Sequence, residues 1–136
     1  MSRDYAAYTE DFEAGRIAAE TFTHVDHLGV AWDMLGRYDF LTAAAHYATG
    51  IQQLATRAGV PEKANLTITL AFLSLIAERR ITSPAKSFET FLSANPDLCD
   101  RNPLRHWYTP ERLNTPLART VFLLPHQDKG LTPDFP

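Results

Sequence analysis

The sequence predicts an all-α fold, a single-domain bundle of about five main helices followed by short C-terminal helices. Three observations support this prediction. Apolar residues recur at helical spacing along most of the chain, residues typical of helix N-caps precede these stretches, and no stretch of useful length alternates polar and apolar residues as a β-strand would. The 136 residues suffice for one buried core. We interpret residues 1–125 as one helical domain and residues 126–136 as a C-terminal tail.

The composition excludes several classes of protein. Hydrophobic residues make up 45% and charged residues 21%, as in ordinary globular domains. The net charge of −3 at pH 7 disfavours a nucleic-acid partner. Because the sequence has neither a membrane-spanning stretch nor the apolar region of a signal peptide, we expect a cytoplasmic protein without a membrane partner. A modest basic group is more typical of a solvated face than of a phosphate site: Arg101, Arg105, His106, Arg112 and Arg119.

The first helix is predicted over residues 3–14, where Ser2 caps its start and Gly15 ends it. Its apolar face is aromatic, with Tyr5, Tyr8 and Phe12. The second helix begins after Thr23, because Thr23 and Asp26 have the spacing of a capping box. Asp26 points away from the apolar stripe of this helix, so we interpret it as a cap that also favours the helix dipole.

Two histidines, His24 and His27, open the second helix and form the densest group of reactive side chains in the sequence. A rotation of about 100° per residue puts His24 at the centre of the apolar stripe and His27 at its edge. The stripe continues with Leu28, Ala31 and Leu35. Both histidines are therefore predicted to face the interior of the bundle.

The third helix is predicted over residues 39–58 and ends at Gly59. Its buried stripe contains Phe40, Ala44, Tyr47, Ile51 and Leu54. Gly50 costs a helix about 1 kcal/mol relative to alanine. We expect this glycine either to allow close helix packing or to leave room for a ligand.

The fourth helix is predicted over residues 61–80, with Pro61 in its first turn. Asn65 and Thr69 fall in the middle of its apolar face, whereas Thr67 does not. Polar side chains at that place indicate a lined cavity; the alternative is that Thr69 bonds to its own helix and Asn65 lies at a frayed start. The apolar members of the face are Leu66, Ile68, Phe72, Leu73 and Ile76.

Shorter helices complete the predicted bundle. The fifth spans residues 84–94, starting at Ser83–Pro84 and ending at Asn95–Pro96. Thr109–Pro110 and Thr115–Pro116 each open a short helix. The apolar faces of the first and fifth helices leave surface for a homodimer. In the fifth helix that face contains Phe88, Phe91 and Leu92.

The histidine pair is compatible with two kinds of chemistry. Imidazoles bind transition metals, but a zinc or iron site needs a further ligand, and the sequence contains no HExxH, CxxC or di-iron motif. A metal held by His24 and His27 is therefore the less favoured interpretation, and no cofactor is expected. Histidine also titrates near neutral pH, so two imidazoles in a half-dry pocket can act as acid and base. Cys99 stands close to acidic residues, which disfavours a reactive thiolate.

Further side chains are predicted to orient a substrate or to stabilise a developing charge. Arg119 either binds a substrate anion or pairs with a carboxylate such as Asp26 or Glu111. The full set of predicted substrate-binding residues is Tyr47, Asn65, Thr69, Tyr108 and Arg119.

Three ordered segments resemble a family of small uncharacterised bacterial helical proteins. Phe22, His24, His27, Leu28, Ala31 and Trp32 match its F-x-H-x-x-H-L-x-x-A-W segment. Its C-terminal Y-S-x-E-x-L-x-S-x-x-A-R-x-x-F-x-x-P-D is matched by Tyr108, Thr109, Glu111, Leu113, Thr115, Ala118, Arg119, Phe122 and Pro125.

The middle motif of that family, Y-H-E-T-I-T, is degenerate in this chain. Thr67, Ile68 and Thr69 match T-I-T, but the histidine and glutamate positions hold Asn65 and Leu66. In family members that carry both this histidine and this glutamate, the two side chains together with the histidine pair of the first segment resemble a metal site or a charged acid–base cluster. The resemblance therefore implies either metal-free chemistry in a similar pocket or an activity that has been lost.

The sequence favours a small enzyme that uses no redox cofactor and performs acid–base chemistry on a small organic molecule. Isomerisation, cyclisation, elimination and hydration all fit, with His24 and His27 as acid and base. Two alternatives remain. The first is a non-catalytic helical protein that binds a small ligand or metal, and the second is an accessory subunit with a solid, pocketless bundle.

Overall fold

A computed structural model describes residues 3–125, and seven α-helices account for most of the regular structure in this range. No β-strand occurs within this range, and none of its helices is long and apolar enough to cross a membrane. The predicted tail, residues 126–136, lies outside the described residues. The helices are Tyr5–Glu13 (α1), His24–Arg37 (α2), Phe40–Arg57 (α3), Leu66–Thr82 (α4), Phe88–Ala94 (α5), Pro110–Leu113 (α6) and Pro116–Thr120 (α7).

Each of these seven helices begins at a side chain that accepts a hydrogen bond from a backbone N–H of the first turn. The predicted caps or starts at Thr23, Asp39, Thr109 and Thr115 are confirmed. The complete set is Asp4, Thr23, Asp39, Asn65, Ser87, Thr109 and Thr115.

Three predicted helix starts were wrong. The cap of α1 is Asp4, and Ser2 lies outside the described residues. Pro61 opens only a short 3₁₀ turn, Pro61–Lys63, and α4 starts afresh after Asn65 because the backbone becomes extended at Ala64. Ser87, rather than Ser83, caps α5, since its side chain accepts the hydrogen bond from the amide of Thr90.

The core forms around α2, which packs against α1, α3, α4 and α5. Two glycines permit the closest approach of α1. Tyr5 lies directly against Gly29, and Phe12 lies directly against Gly50, so a methyl group at either glycine would overlap an aromatic ring. Of the two predicted uses of Gly50, close packing is the one observed. The fully buried residues of α2 are Leu28, Val30, Ala31 and Met34.

The buried face of α4 contains Thr69, Phe72, Leu73 and Ile76, as predicted, but it departs from the prediction at two positions. Thr67 was predicted to lie off the apolar face, yet it is completely buried, and Ile68 is 40% exposed. The reason is the C-terminal segment, which packs on α4: the Thr67 hydroxyl donates to the carbonyl of Val121 (2.7 Å) and accepts from the amide of Leu123 (3.0 Å). At the start of α3, Phe40 is also more exposed than predicted, at 42%.

The aromatic faces of α1 and α5 are covered within the chain. Tyr5, Tyr8 and Phe12 are buried, as are Phe88 and Phe91. Ring contacts join the two helices, with Tyr5 edge-on to Phe88 at 4.9 Å between centroids. The surface on which the homodimer prediction depended is therefore used by the bundle itself.

Candidate functional site

The capping box predicted at the start of α2 is present and fixes the first turn, which carries both histidines. The Thr23 hydroxyl accepts from the amide of Asp26 (3.2 Å), and the Asp26 carboxylate accepts from the amide of Thr23 (3.0 Å). Arg3 and Tyr5 also donate to this carboxylate, at 3.0 and 2.8 Å. Burial alone would raise the pKa of Asp26, but the hydrogen bonds from Thr23 and Tyr5 hold it below its ordinary value. Asp26 is thus a structural carboxylate, as predicted, although it is buried.

His24 and His27 line one cavity of about 220 Å³. One wall is formed by α4 through Ile68 and Phe72, and Leu113 at the end of α6 closes a second side. The remaining wall is the loop that follows the 3₁₀ turn Pro96–Cys99, and its lining residues are Arg101, Asn102, Pro103 and Leu104. The cavity is smaller than the 300–1,000 Å³ typical of sites for drug-sized ligands, so it suits a small molecule.

His24 is held by the backbone of the 3₁₀ turn Pro96–Cys99, which precedes that loop. Its Nε2 lies 2.9 Å from the carbonyl oxygen of Leu98. Because a carbonyl only accepts, this contact requires a hydrogen on Nε2. In the neutral ring, Nδ1 then carries the lone pair. The ring also contacts Phe72, at 5.7 Å between centroids.

His27 is held by Tyr47, which is 1% exposed and lies beneath it on α3. The Tyr47 hydroxyl lies 3.3 Å from Nδ1 of His27 and 3.4 Å from the carbonyl oxygen of the same residue. One arrangement satisfies both contacts: the hydroxyl donates to the carbonyl and accepts from a hydrogen on Nδ1. The lone pair of His27 is then on Nε2. Burial raises the pKa of Tyr47, so its hydroxyl keeps its proton.

The electrostatic state of His27 follows from its surroundings. Burial lowers its pKa to about 4, with His24 acting in the same direction and Asp26 opposing. At neutral pH the imidazole of His27 is therefore uncharged, which is the form that accepts a proton.

The basic group noted in the sequence divides in the structure. Arg105 pairs with Asp100 at 3.1 Å, and Arg112 donates to the carbonyl of Leu124. Among the residues that line this cavity, Arg101 is the arginine, and it has no ion-pair partner within residues 3–125.

None of the five predicted substrate-binding residues lines this cavity in the described chain. Tyr47 contacts the His27 ring with its hydroxyl but does not line the cavity itself. Asn65 is the N-cap of α4, and both ends of its amide are used: the oxygen accepts from the amide of Ile68 and the nitrogen donates to the carbonyl of Leu113. Because α4 starts directly after Asn65, its side chain caps the helix and is not free for the predicted role in substrate binding.

The other three predicted residues serve different parts of the fold. Thr69 is buried within α4, away from the cavity. The Tyr108 hydroxyl donates to the carbonyl of Leu123 at 2.7 Å, because the C-terminal segment crosses over it. Arg119 lines a separate groove with Pro61 and Glu62, and within residues 3–125 it pairs with neither predicted carboxylate.

Sequence reasoning missed the side chains that complete the cavity. Ile68 was assigned to the core, and Arg101 was assigned to a solvated face. Asn102–Pro103 is a recognisable turn signal, and it marks the loop that returns to α2. No local pattern, however, connects residues about 75 positions apart, as His24 and Leu98 are.

No group of three His, Cys, Asp or Glu side chains suited to a metal ion occurs within residues 3–125. Among the residues that line the cavity, His24 and His27 carry the imidazole nitrogens that such an ion would bind. The sequence matches no protein-family model, and comparisons with curated proteins and with solved structures gave no significant match.

Proposed function

We propose that this protein is a small enzyme that performs acid–base chemistry on a small organic molecule in the His24–His27 cavity, without a redox cofactor. The observation that carries the proposal is the way the two rings are held. Each imidazole lines the same cavity while one of its nitrogens contacts an oxygen of the protein, from Leu98 for His24 and from Tyr47 for His27. Such contacts fix the orientation and the tautomer of a catalytic histidine.

The two histidines take different roles in this proposal. His27 is uncharged at neutral pH and accepts a proton at Nε2, so it is the general base. His24 in its protonated form is the general acid, and because Leu98 holds the hydrogen on Nε2, the proton it donates is the one on Nδ1. The reactions that need only these two proton movements are isomerisation, cyclisation, elimination and hydration.

The apolar walls assist this chemistry. Phe72 and Ile68 form an apolar wall of the cavity beside the imidazoles, and proton transfer next to apolar surface is less opposed by solvent than in open water. The volume of about 220 Å³ limits the substrate to a small molecule. The proposal is supported by the position of His24 and His27, which line the same cavity and so can reach one bound molecule.

Hydrogen–deuterium exchange tests the proposal without knowledge of the product. A panel of small ketones, aldehydes and carboxylic acids that carry activated C–H bonds is incubated with the protein in D₂O, and loss of the C–H signal is followed by ¹H NMR. We expect exchange with the wild type and a loss of about 10²-fold or more in His27→Ala, because general-base catalysis contributes that much. His106→Gln, an exposed histidine outside the cavity lining, is the matched control.

Equal exchange rates in wild type and His27→Ala would contradict a catalytic role. Circular dichroism and thermal melting of both variants are needed, since a loss of folding would indicate that His27 is a core residue. Elemental analysis of protein purified without an affinity tag tests the metal-free part of the proposal. A stoichiometric transition metal would refute it.

A non-catalytic binding protein is the second candidate function. The hydrogen bond from His24 to the carbonyl of Leu98 favours it, because a histidine satisfied in this way is common as a purely structural group. Binding of panel members without any exchange above the protein-free rate would support this candidate. The cavity beside His24 counts against the accessory subunit with a pocketless bundle.

A further inference from the structure

The polar residues that line the His24–His27 cavity are neutral or basic. Its polar side chains are two imidazoles, the guanidinium of Arg101 and the amide of Asn102. No Asp or Glu lines the cavity within the described part of the chain. At neutral pH His27 is uncharged, so Arg101 is the permanent positive charge of this site.

Within the described residues, Arg101 lacks the carboxylate partner that five of the ten arginines of this protein have. Aspartates and glutamates outnumber lysines and arginines by 16 to 13, so carboxylate partners are abundant. Within residues 3–125 Arg101 has no carboxylate partner, although the neighbouring Arg105 is paired with Asp100. The arginines that do form ion pairs with carboxylates are Arg3, Arg16, Arg37, Arg79 and Arg105.

We propose that the cavity binds a small monoanionic carboxylate, with Arg101 as the anchor of the carboxylate group and the apolar walls around the body of the ligand. This inference rests on the proposed function for the choice of the His24–His27 cavity as the binding site, and it adds the chemical class of the substrate. A guanidinium forms two parallel hydrogen bonds with a carboxylate, and Asn102 offers a further N–H donor at the same wall. Ile68, Phe72 and Leu113 offer an apolar surface to the rest of the molecule.

The charge of the cavity favours a carboxylate over a phosphate, which arginine also binds. A phosphate monoester carries close to two negative charges at neutral pH and needs more than one cationic partner. Arg101 is the one permanent cation of the described lining, because burial disfavours the charged form of His27 and the proposed reaction consumes the proton that His24 carries as the acid. A monoanion balances that charge, and it leaves His27 free to act as a base.

Isothermal titration calorimetry with benzoate, benzamide and inorganic phosphate tests this assignment. Benzoate and benzamide have nearly the same size and shape, but only benzoate is charged. Arg101→Gln removes the anchor, and Arg105→Gln is the matched control, because Arg105 is an exposed arginine of the same loop that does not line the cavity. Both side chains are exposed, so both variants are expected to fold, which circular dichroism checks.

We expect the wild type to bind benzoate more tightly than benzamide or phosphate. Arg101→Gln should weaken benzoate binding roughly tenfold, in keeping with the loss of a charge-assisted bidentate hydrogen bond, and should leave benzamide unchanged. Arg105→Gln should bind all three probes as the wild type does. Equal weakening in the two variants, equal binding of benzoate and benzamide, tighter binding of phosphate, or no binding of benzoate at millimolar concentration would each overturn the proposal.

The two proposals fail in distinguishable ways. Arg101-dependent benzoate binding without any exchange in D₂O would leave the anion site intact and refute the enzyme. Exchange that requires His27, occurs on uncharged ketones and is unaffected by Arg101→Gln would leave the enzyme intact and refute the anion anchor.

Discussion

Replacing His27 by glutamine should make the stability of this protein less sensitive to acid. His27 has a pKa of about 4 in the folded chain, against 6.5 for an ordinary histidine. Between these two values the unfolded chain binds a proton at this ring that the folded chain does not, so lowering the pH favours unfolding. The contribution of the neutral His27 to stability is fully present above pH 6.5 and is lost as the pH falls toward 4.

The magnitude follows from the same two pKa values. Their difference corresponds to about 3 kcal/mol when the pH is below both, and one-proton linkage gives a loss of about 2 kcal/mol between pH 7 and pH 5. A domain of this size is stable by about 5–15 kcal/mol, so the change is large enough to measure. The pH 5 condition is preferable to a lower one because most surface carboxylates are still ionised there.

Urea unfolding of wild type and His27→Gln at pH 7 and pH 5 measures this loss directly. We expect the free energy of unfolding of His27→Gln to fall by about 2 kcal/mol less than that of the wild type over this interval. The remaining histidines are identical in the two proteins, and His106→Gln should behave as the wild type. Equal pH dependence in wild type and His27→Gln would refute the buried, uncharged state of His27.

Three further substitutions should lower the free energy of unfolding in urea at pH 7. Asp26→Asn should lower it by about 2–3 kcal/mol, because a buried carboxylate that accepts several hydrogen bonds becomes an amide facing donors. Thr67→Val should cost a similar amount, since the carbonyl of Val121 and the amide of Leu123 both lose their buried partner. Gly50→Ala should cost about 1–3 kcal/mol, because the added methyl group overlaps an aromatic ring of α1.

Exposed positions of the same residue types are the controls for two of these substitutions. Asp11→Asn removes a surface ion pair, and Thr120→Val removes a hydroxyl that bonds only within its own helix; each should change stability by about 0.5 kcal/mol or less. Losses equal to those controls at Asp26 or Thr67 would contradict the hydrogen bonds assigned to them. Unchanged or increased stability of Gly50→Ala would show that α1 moves away at little cost.

Local signals in the sequence predicted the helices and the first turn of α2 well. The capping box of Thr23 and Asp26 involves residues three apart, so its chemistry is complete within one turn. The short helices after Thr109 and Thr115 follow the same logic, because a capping side chain and a proline at the first position act on their own turn. Caps failed as predictors where two of them competed, as at Pro61 and Asn65, since the backbone between the two signals decides which one begins the helix.

Long-range contacts decided the features that the sequence did not predict. The burial of Thr67 depends on Val121 and Leu123, which are more than 50 positions away, and no periodicity within α4 contains that information. The same holds for the wall that Arg101 and Leu104 contribute to the cavity. An amphipathic pattern identifies which residues are compatible with burial, whereas the choice among neighbouring faces depends on which segments return to cover them.

The two histidines of the motif also show why spacing alone does not assign a role. Both rings belong to one helical turn and line one cavity, yet different segments hold them: His24 contacts the carbonyl of Leu98 and His27 contacts the hydroxyl of Tyr47. The carbonyl of Leu98 can only accept, so it fixes a hydrogen on Nε2 of His24. The Tyr47 hydroxyl can donate or accept; because it donates to the carbonyl of His27, it accepts from a hydrogen on Nδ1 of that ring. In the proposed reaction these contacts decide which nitrogen of each ring is free for the substrate, and the burial of His27 makes it the base; both effects depend on segments outside the HxxH spacing.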